Sequence, residues 1–276
     1  MGEEATHHWI VVLDVENFSS RRDPVQRRVR AAMYRALAEA LRRAGITDAD
    51  TVSEDRGDGV LMLVAPSVSP VVLAGPFVRE LDEALGEYAQ EANADHALRL
   101  RVALHQGLAA RDAHGWSGDA VNTACRLVDA QPLRDVLAEA LSARLVLAVS
   151  DEVHRGVVRH GHRGIDPAAY LRCDFTTKHG ETITSWITVP GYPAPPGLPA
   201  SGDPAATAPP APGTTDTVPG ATDTVPGATS TGPAGKGAAP DAAGRPSVAL
   251  HAQTVQGDQV AGDKHVTVHN TGSVRP

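Results

Sequence analysis

Cysteine is nearly absent from this chain: 276 residues include two, Cys125 and Cys173. Two thiols build neither a disulfide framework nor a cysteine-based zinc site, and the natural compartment for such a chain is the cytoplasm. Long apolar runs are also missing at the start. MGEEATHHWIVVLD begins acidic and holds five clearly apolar residues in a row, too few for a signal-peptide core or a membrane span. Positive charge is scarce: the formal net charge of −8 argues against a general nucleic-acid binder. Arg21, Arg22, Arg27, Arg28 and Arg30 do cluster, which reads as a solvated helix face beside a turn. His7, His8, His160 and His162 have no acidic or cysteine companions at metal spacing, and His105 reads as a structural histidine within a strand.

The final third lacks large apolar residues and is rich in Pro, Gly and Thr, with a perfect tandem heptad, TDTVPGA, at 215–221 and 222–228. Such a segment cannot offset a chain entropy of about 1 to 2 kcal/mol per residue. The composition therefore divides the chain into a folded domain over 1–190, a disordered linker over 191–246, and a distinct end over 247–276. In that end Val255, Val260, Val266 and Val268 sit among Gly-Asp turns. The pattern suits short strands that pair with a protein partner or another copy, and equally a β-prone tail.

Within the first part, WIVVL reads as a strand, and Asp23-Pro24 as the N-cap and N1 of a helix with Val29, Met33, Leu37 and Leu41 on one face and Gly45 at its end. TVSEDRG and GVLMLVA form a hairpin with its turn at Asp58-Gly59. A helix over roughly 69–93 is interrupted near Gly75-Pro76. The strand ALRLRVALHQG, a helix over 116–130, the strand RLVLAVS, the helix DEVHRGVV and a last hairpin, YLRCDFTTK with ETITSWITV, complete it. The fold class is α+β: a ferredoxin-like βαββαβ core with helices on one face of the sheet.

Two carboxylates stand at strand ends, Asp14 in VVLDVENFSS and Asp58 in EDRGDGVLMLV. As a pair they offer oxygen ligands to a hard divalent cation. In GDAVNTACRL, Asn122 and Arg126 lie four apart and share one helix face. Paired acids with an amide and a guanidinium point to phosphoryl chemistry.

These segments resemble the catalytic domain of class III nucleotidyl cyclases, the adenylate and guanylate cyclase family, and its stand-alone actinobacterial members. The match comprises LDVENFS, RGDGVLML, RVALHQG and GDAVNTACRL, in order over residues 8–190. The resemblance implies the class III cyclase fold and conversion of a nucleoside triphosphate to a 3′,5′-cyclic nucleotide and pyrophosphate, with two Mg²⁺ or Mn²⁺ ions. It implies metal binding by Asp14, Asp58 and the carbonyl of Val15. The turn Glu16-Asn17-Phe18-Ser19 would hold the β- and γ-phosphates, with Asn17 where the family usually has Gly. Asn122 would orient the ribose, Arg126 would stabilise the pentavalent phosphate, and Lys178 resembles the phosphate-binding lysine of the last hairpin. It also implies a homodimer in which each active site is shared between subunits.

The resemblance also places Glu54 at the family's base-selecting position, where a carboxylate would accept from guanine N1–H and the exocyclic amine, which favours GTP. The usual partner position is Gly115, which has no side chain. That leaves open Asp55 in its place, a pyrimidine preference, or weak discrimination. A different class of function stays in view: a catalytically inactive, cyclase-like module that senses nucleotide or dimerises and recruits a partner through 247–276. A polymerase palm or diguanylate cyclase lacks support, since no Gly-Gly-Asp/Glu-Glu-Phe turn is present.

Overall fold

The computed structural model describes residues 4–178 and 180–199. The 200–246 part of the expected linker and the whole 247–276 segment lie outside the described residues. Strand β1 (Thr6–Val15) leads into helix α1 (Asp23–Arg43), followed by the hairpin of β2 (Thr51–Asp55) and β3 (Gly59–Val64). Helices α2 (Pro70–Val72) and α3 (Val78–Glu91) are joined by a π-helical turn over Leu73–Phe77 that contains Pro76. Proline has no N–H to give the helix ladder, so the expected interruption takes the form of a widened turn. Then come β4 (Leu100–Asp112), β5 (Gly115–Ser117), α4 (Asp119–Val128), α5 (Gln131–Glu139), β6 (Leu145–Ser150), α6 (Asp151–Gly156) and the hairpin of β7 (Leu171–Thr176) and β8 (Thr182–Thr188).

The sheet runs β2-β3-β1-β4-β6-β8-β7, with β5 paired to β4. Its first four strands are mutually antiparallel, which is the ferredoxin-like βαββαβ arrangement expected. β6 then adds in parallel to β4, and β8 and β7 follow antiparallel.

Side chains alternate across the sheet. Trp9, Val11, Leu13 and Val15 pack with Val29, Met33, Leu37, Phe77, Leu81 and Leu85 under α1 and α3, while Ile10, Val12, Leu61 and Leu63 pack with Val121, Ala124, Leu127 and Val128 of α4. Val146, Ala148 and Ile187 meet Leu133, Val136 and Leu137 of α5. The helices of the core do share one face, but α4 and α5 cover the other. The reason is in the strands: β3 and β6 are buried at every position, so both faces need a cover.

Three local expectations are corrected. Residues 116 and 117 belong to a strand and α4 begins at Asp119, because Gly118 has φ of 139° and a side chain there would meet the Leu108 carbonyl at 2.7 Å. Helix α1 is capped at Arg22 with no side-chain cap bond, so Asp23 lies in its first turn, where a carboxylate still favours the positive helix end. Helix α5 goes unpredicted: its N-cap, Ala130, offers no cap bond, and the helix has only nine residues. Packing also continues past Pro190, where the composition changes. Tyr192 and Leu198 rest against the α5 cluster, and the Tyr192 hydroxyl lies 2.7 Å from Ser142 Oγ.

Candidate active site

The antiparallel register of β1 brings Asp14 opposite Gly59 on one side and Arg101 on the other. Asp58, next to Gly59, closes the β2–β3 tip, and its carbonyl accepts from Val15 N–H at 2.9 Å. The two predicted metal carboxylates thus stem from adjacent strand ends. Asp14 accepts a hydrogen bond from the guanidinium of Arg101, whose residue is buried. Burial nevertheless pushes the Asp14 carboxyl up to about 6, opposed by Arg101 and reinforced by the negative charges of Asp58 and Asp129. The Nε–H of Arg101 is buried without a partner among the described residues.

These residues fit a hard divalent cation. Two carboxylates from neighbouring strand ends would supply part of the oxygen shell that such an ion takes. Among the described residues no group of three or more His, Cys, Asp or Glu could hold an ion.

The turn after β1 is held from behind. Glu16 N–H donates to the Arg99 carbonyl at 3.0 Å and the Glu16 carboxylate pairs with Arg99 at 3.4 Å, while Arg21 donates to the Glu16 carbonyl at 3.2 Å. Asn17 adopts φ of 54°, the one positive φ outside glycine among the described residues, and asparagine tolerates that conformation. Phe18 packs against the large core, and Ser19 is exposed.

Glu54 and Asp55 do not share a site. Successive strand residues face opposite ways, and Asp55 turns to Arg30 of α1 and caps Gly57 N–H at 2.8 Å. Glu54 turns the other way: its Oε1 accepts from Trp116 N–H at 2.9 Å and its Oε2 from Arg56 at 3.2 Å. Asp55 therefore does not stand in for the missing side chain at Gly115.

On α4, Val121, Ala124, Leu127 and Val128 are buried, while Asn122 is exposed and Arg126 half-buried on the outer face. Arg126 is paired with Glu181. Glu181 closes the β7–β8 turn, where Thr177 N–H donates to its carbonyl at 2.8 Å, and Lys178 sits exposed in the same turn. The spacing of Asn122 and Arg126 did reveal a shared face. What sequence reasoning passed over are Arg101, Arg56 and Glu181, and only Arg101 left a signal, a charge between Leu100 and Val102 in the apolar part of its strand.

No protein-family model and no curated protein matches this chain. Among solved structures it is similar to an adenylate/guanylate cyclase/hydrolase from Silicibacter pomeroyi, 19% identical over 69% of this chain and 100% of that one, with a TM-score of 0.49. It is similar to the guanylyl cyclase Cya2, 17% identical over 68% of this chain and 94% of that one, TM-score 0.48. A bacterial light-regulated adenylyl cyclase is 16% identical over 68% of this chain and 92% of that one, TM-score 0.47.

Proposed function

We propose that this protein is a nucleotidyl cyclase that converts a nucleoside triphosphate to its 3′,5′-cyclic nucleotide and pyrophosphate, GTP being the favoured substrate. The observation that carries this reading is the half-buried Asp14, beside Asp58 and paired to Arg101 at one sheet end. Two carboxylates at neighbouring strand ends suit the divalent cations of a triphosphate.

In this reading the 3′-oxygen bonds to the α-phosphorus in line, the bond from that phosphorus to the bridging oxygen breaks so that pyrophosphate departs, and the hydroxyl proton passes to solvent water. Two Mg²⁺ or Mn²⁺ held by Asp14, Asp58 and the Val15 carbonyl would acidify the hydroxyl and neutralise the leaving group. The chain's own residues do the rest. Glu16 opens the turn with its own N–H held by the Arg99 carbonyl, so the N–H groups of Asn17, Phe18 and Ser19 donate to the β- and γ-phosphates, while Arg101 holds Asp14 in place. Asn122 orients the ribose. Arg126 gives two donors to the phosphoryl oxygens as charge spreads over them, and Lys178 adds a cation from the facing turn. Asp14 and Asp58 of one subunit serve Asn122 and Arg126 of a second, so the working unit is a head-to-tail homodimer with two sites.

The test is direct. The full chain, incubated with Mn²⁺ and each of ATP, GTP, CTP and UTP, should yield a cyclic mononucleotide by mass, lost in Asp58→Ala. A dimeric protein that binds nucleotide without turnover would instead be a sensor module. The engagement of Arg126 by Glu181 favours that second reading.

A further inference from the structure

The geometry points to Arg56, braced by Glu54 on the β5 edge, as the group that reads the base, which makes the substrate class nucleotides with a ring carbonyl at that edge, guanosine or uridine triphosphate. The inference rests on the cyclase reading for the place where the nucleotide lies.

The Glu54 carboxylate is committed to the protein at both oxygens, one to Trp116 N–H at 2.9 Å and the other to Arg56 at 3.2 Å. Gly115 makes this seat possible. It has φ of 127°, and a Cβ there would lie 2.6 Å from Glu54 Oε1. The missing side chain is thus the space in which the carboxylate docks, and Glu54 becomes a brace for Arg56. The Arg56 side chain is 46% exposed against 27% for Glu54, so the guanidinium is the more accessible end of the pair.

The pair also lies by the right helix. Burial holds the Cys125 thiol above its ordinary value, and the charges of Arg56, Asp129 and Glu54 all act on it. Cys125 sits on α4 between Asn122 and Arg126. A base whose ribose meets Asn122 thus has Arg56 within its surroundings.

A guanidinium only donates. Guanine O6 and uracil O4 accept, whereas the amino groups of adenine and cytosine set donor against donor. Leaving such groups unpaired costs on the order of tenfold in affinity.

The test is equilibrium binding of α,β-methylene analogues of GTP, UTP, ATP and CTP, and of tripolyphosphate, to the full chain with Mn²⁺. The GTP and UTP analogues should bind about tenfold tighter than the other two. Arg56→Gln, which both donates and accepts, should erase the gap, as should Gly115→Ala by evicting Glu54, with tripolyphosphate affinity unchanged in both. Equal binding of all four analogues, tighter binding of the ATP or CTP analogue, or a gap that survives Arg56→Gln would overturn the inference alone. Failure of every analogue and of tripolyphosphate to bind would overturn the cyclase reading and this inference with it.

Discussion

The two faces of the sheet are built to different ends. Under α1 and α3 the strands present Trp9, Val11, Leu13 and Val15 with Val102, Leu104, Leu147 and Val149, a continuous apolar layer roofed by a helix of 21 residues and one of 14. On the other face the same strands present Asp14, Arg101 and His105, and the cover is α4, of 10 residues, and α5, of 9. Under this shorter roof the half-buried Asp14 and the buried Arg101 meet at a strand end. One face stores stability; in the proposed reading its opposite carries the chemistry. Even the buried polar groups follow this division: His105 Nδ1 lies 2.8 Å from Ser150 Oγ, and Ser150 caps α6 through Val153 N–H.

The sharpest way to break that comparison is on α4. Arg126→Ala should lower turnover by about 100-fold or more, the usual cost of removing a donor from a transition-state oxyanion, while the protein remains folded and dimeric. Mixing Arg126→Ala with Asp58→Ala chains should restore one intact site per heterodimer, and two folded, dimerising variants that fail to complement would sink the shared-site arrangement. On the opposite face, Leu81 is fully buried, and Leu81→Ala should cost about 2 to 5 kcal/mol in denaturant unfolding. Asn122→Ala, at an exposed position, should stay within about 0.5 kcal/mol of the parent in the same experiment yet lose activity. Equal destabilisation by both would erase the distinction between faces.

The smallest effect is set by pH. Burial raises the Asp14 carboxyl to about 6, so it is ionised above that value and takes up a proton below it. Only the ionised form ligates a cation. Mn²⁺ affinity should therefore be flat above about pH 6 and fall with acidification, approaching tenfold per unit. In Asp14→Asn this dependence should vanish along with most of the binding. A wild-type affinity that stayed level down to pH 4.5 would separate Asp14 from the cation.

Much of this arrangement was legible beforehand. Asp14 and Asp58 stood out because each interrupts an apolar run at its end, and Asn122 and Arg126 because a spacing of four on a helix is one face. The second helical layer was legible in principle: strands apolar at every position, such as GVLMLV, cannot leave one side wet. Helix α5 was hidden by its length and its weak N-cap. That Asp55 turns to Arg30 while Glu54 turns to Trp116 follows from a period of two, but which side holds the site depends on what covers each face.

Local order, then, was written in the chain: strand and helix periods, the break at Pro76, and the carboxylates at strand ends all arise from interactions among near neighbours. The partners were decided by the tertiary structure. Arg101 meets Asp14 through the β1–β4 register, Arg126 meets Glu181 across 55 residues, and Glu54 reaches Trp116 N–H across 62 because Gly115 yields the space. Such pairings depend on sheet order and on close packing between distant segments, which no local pattern encodes.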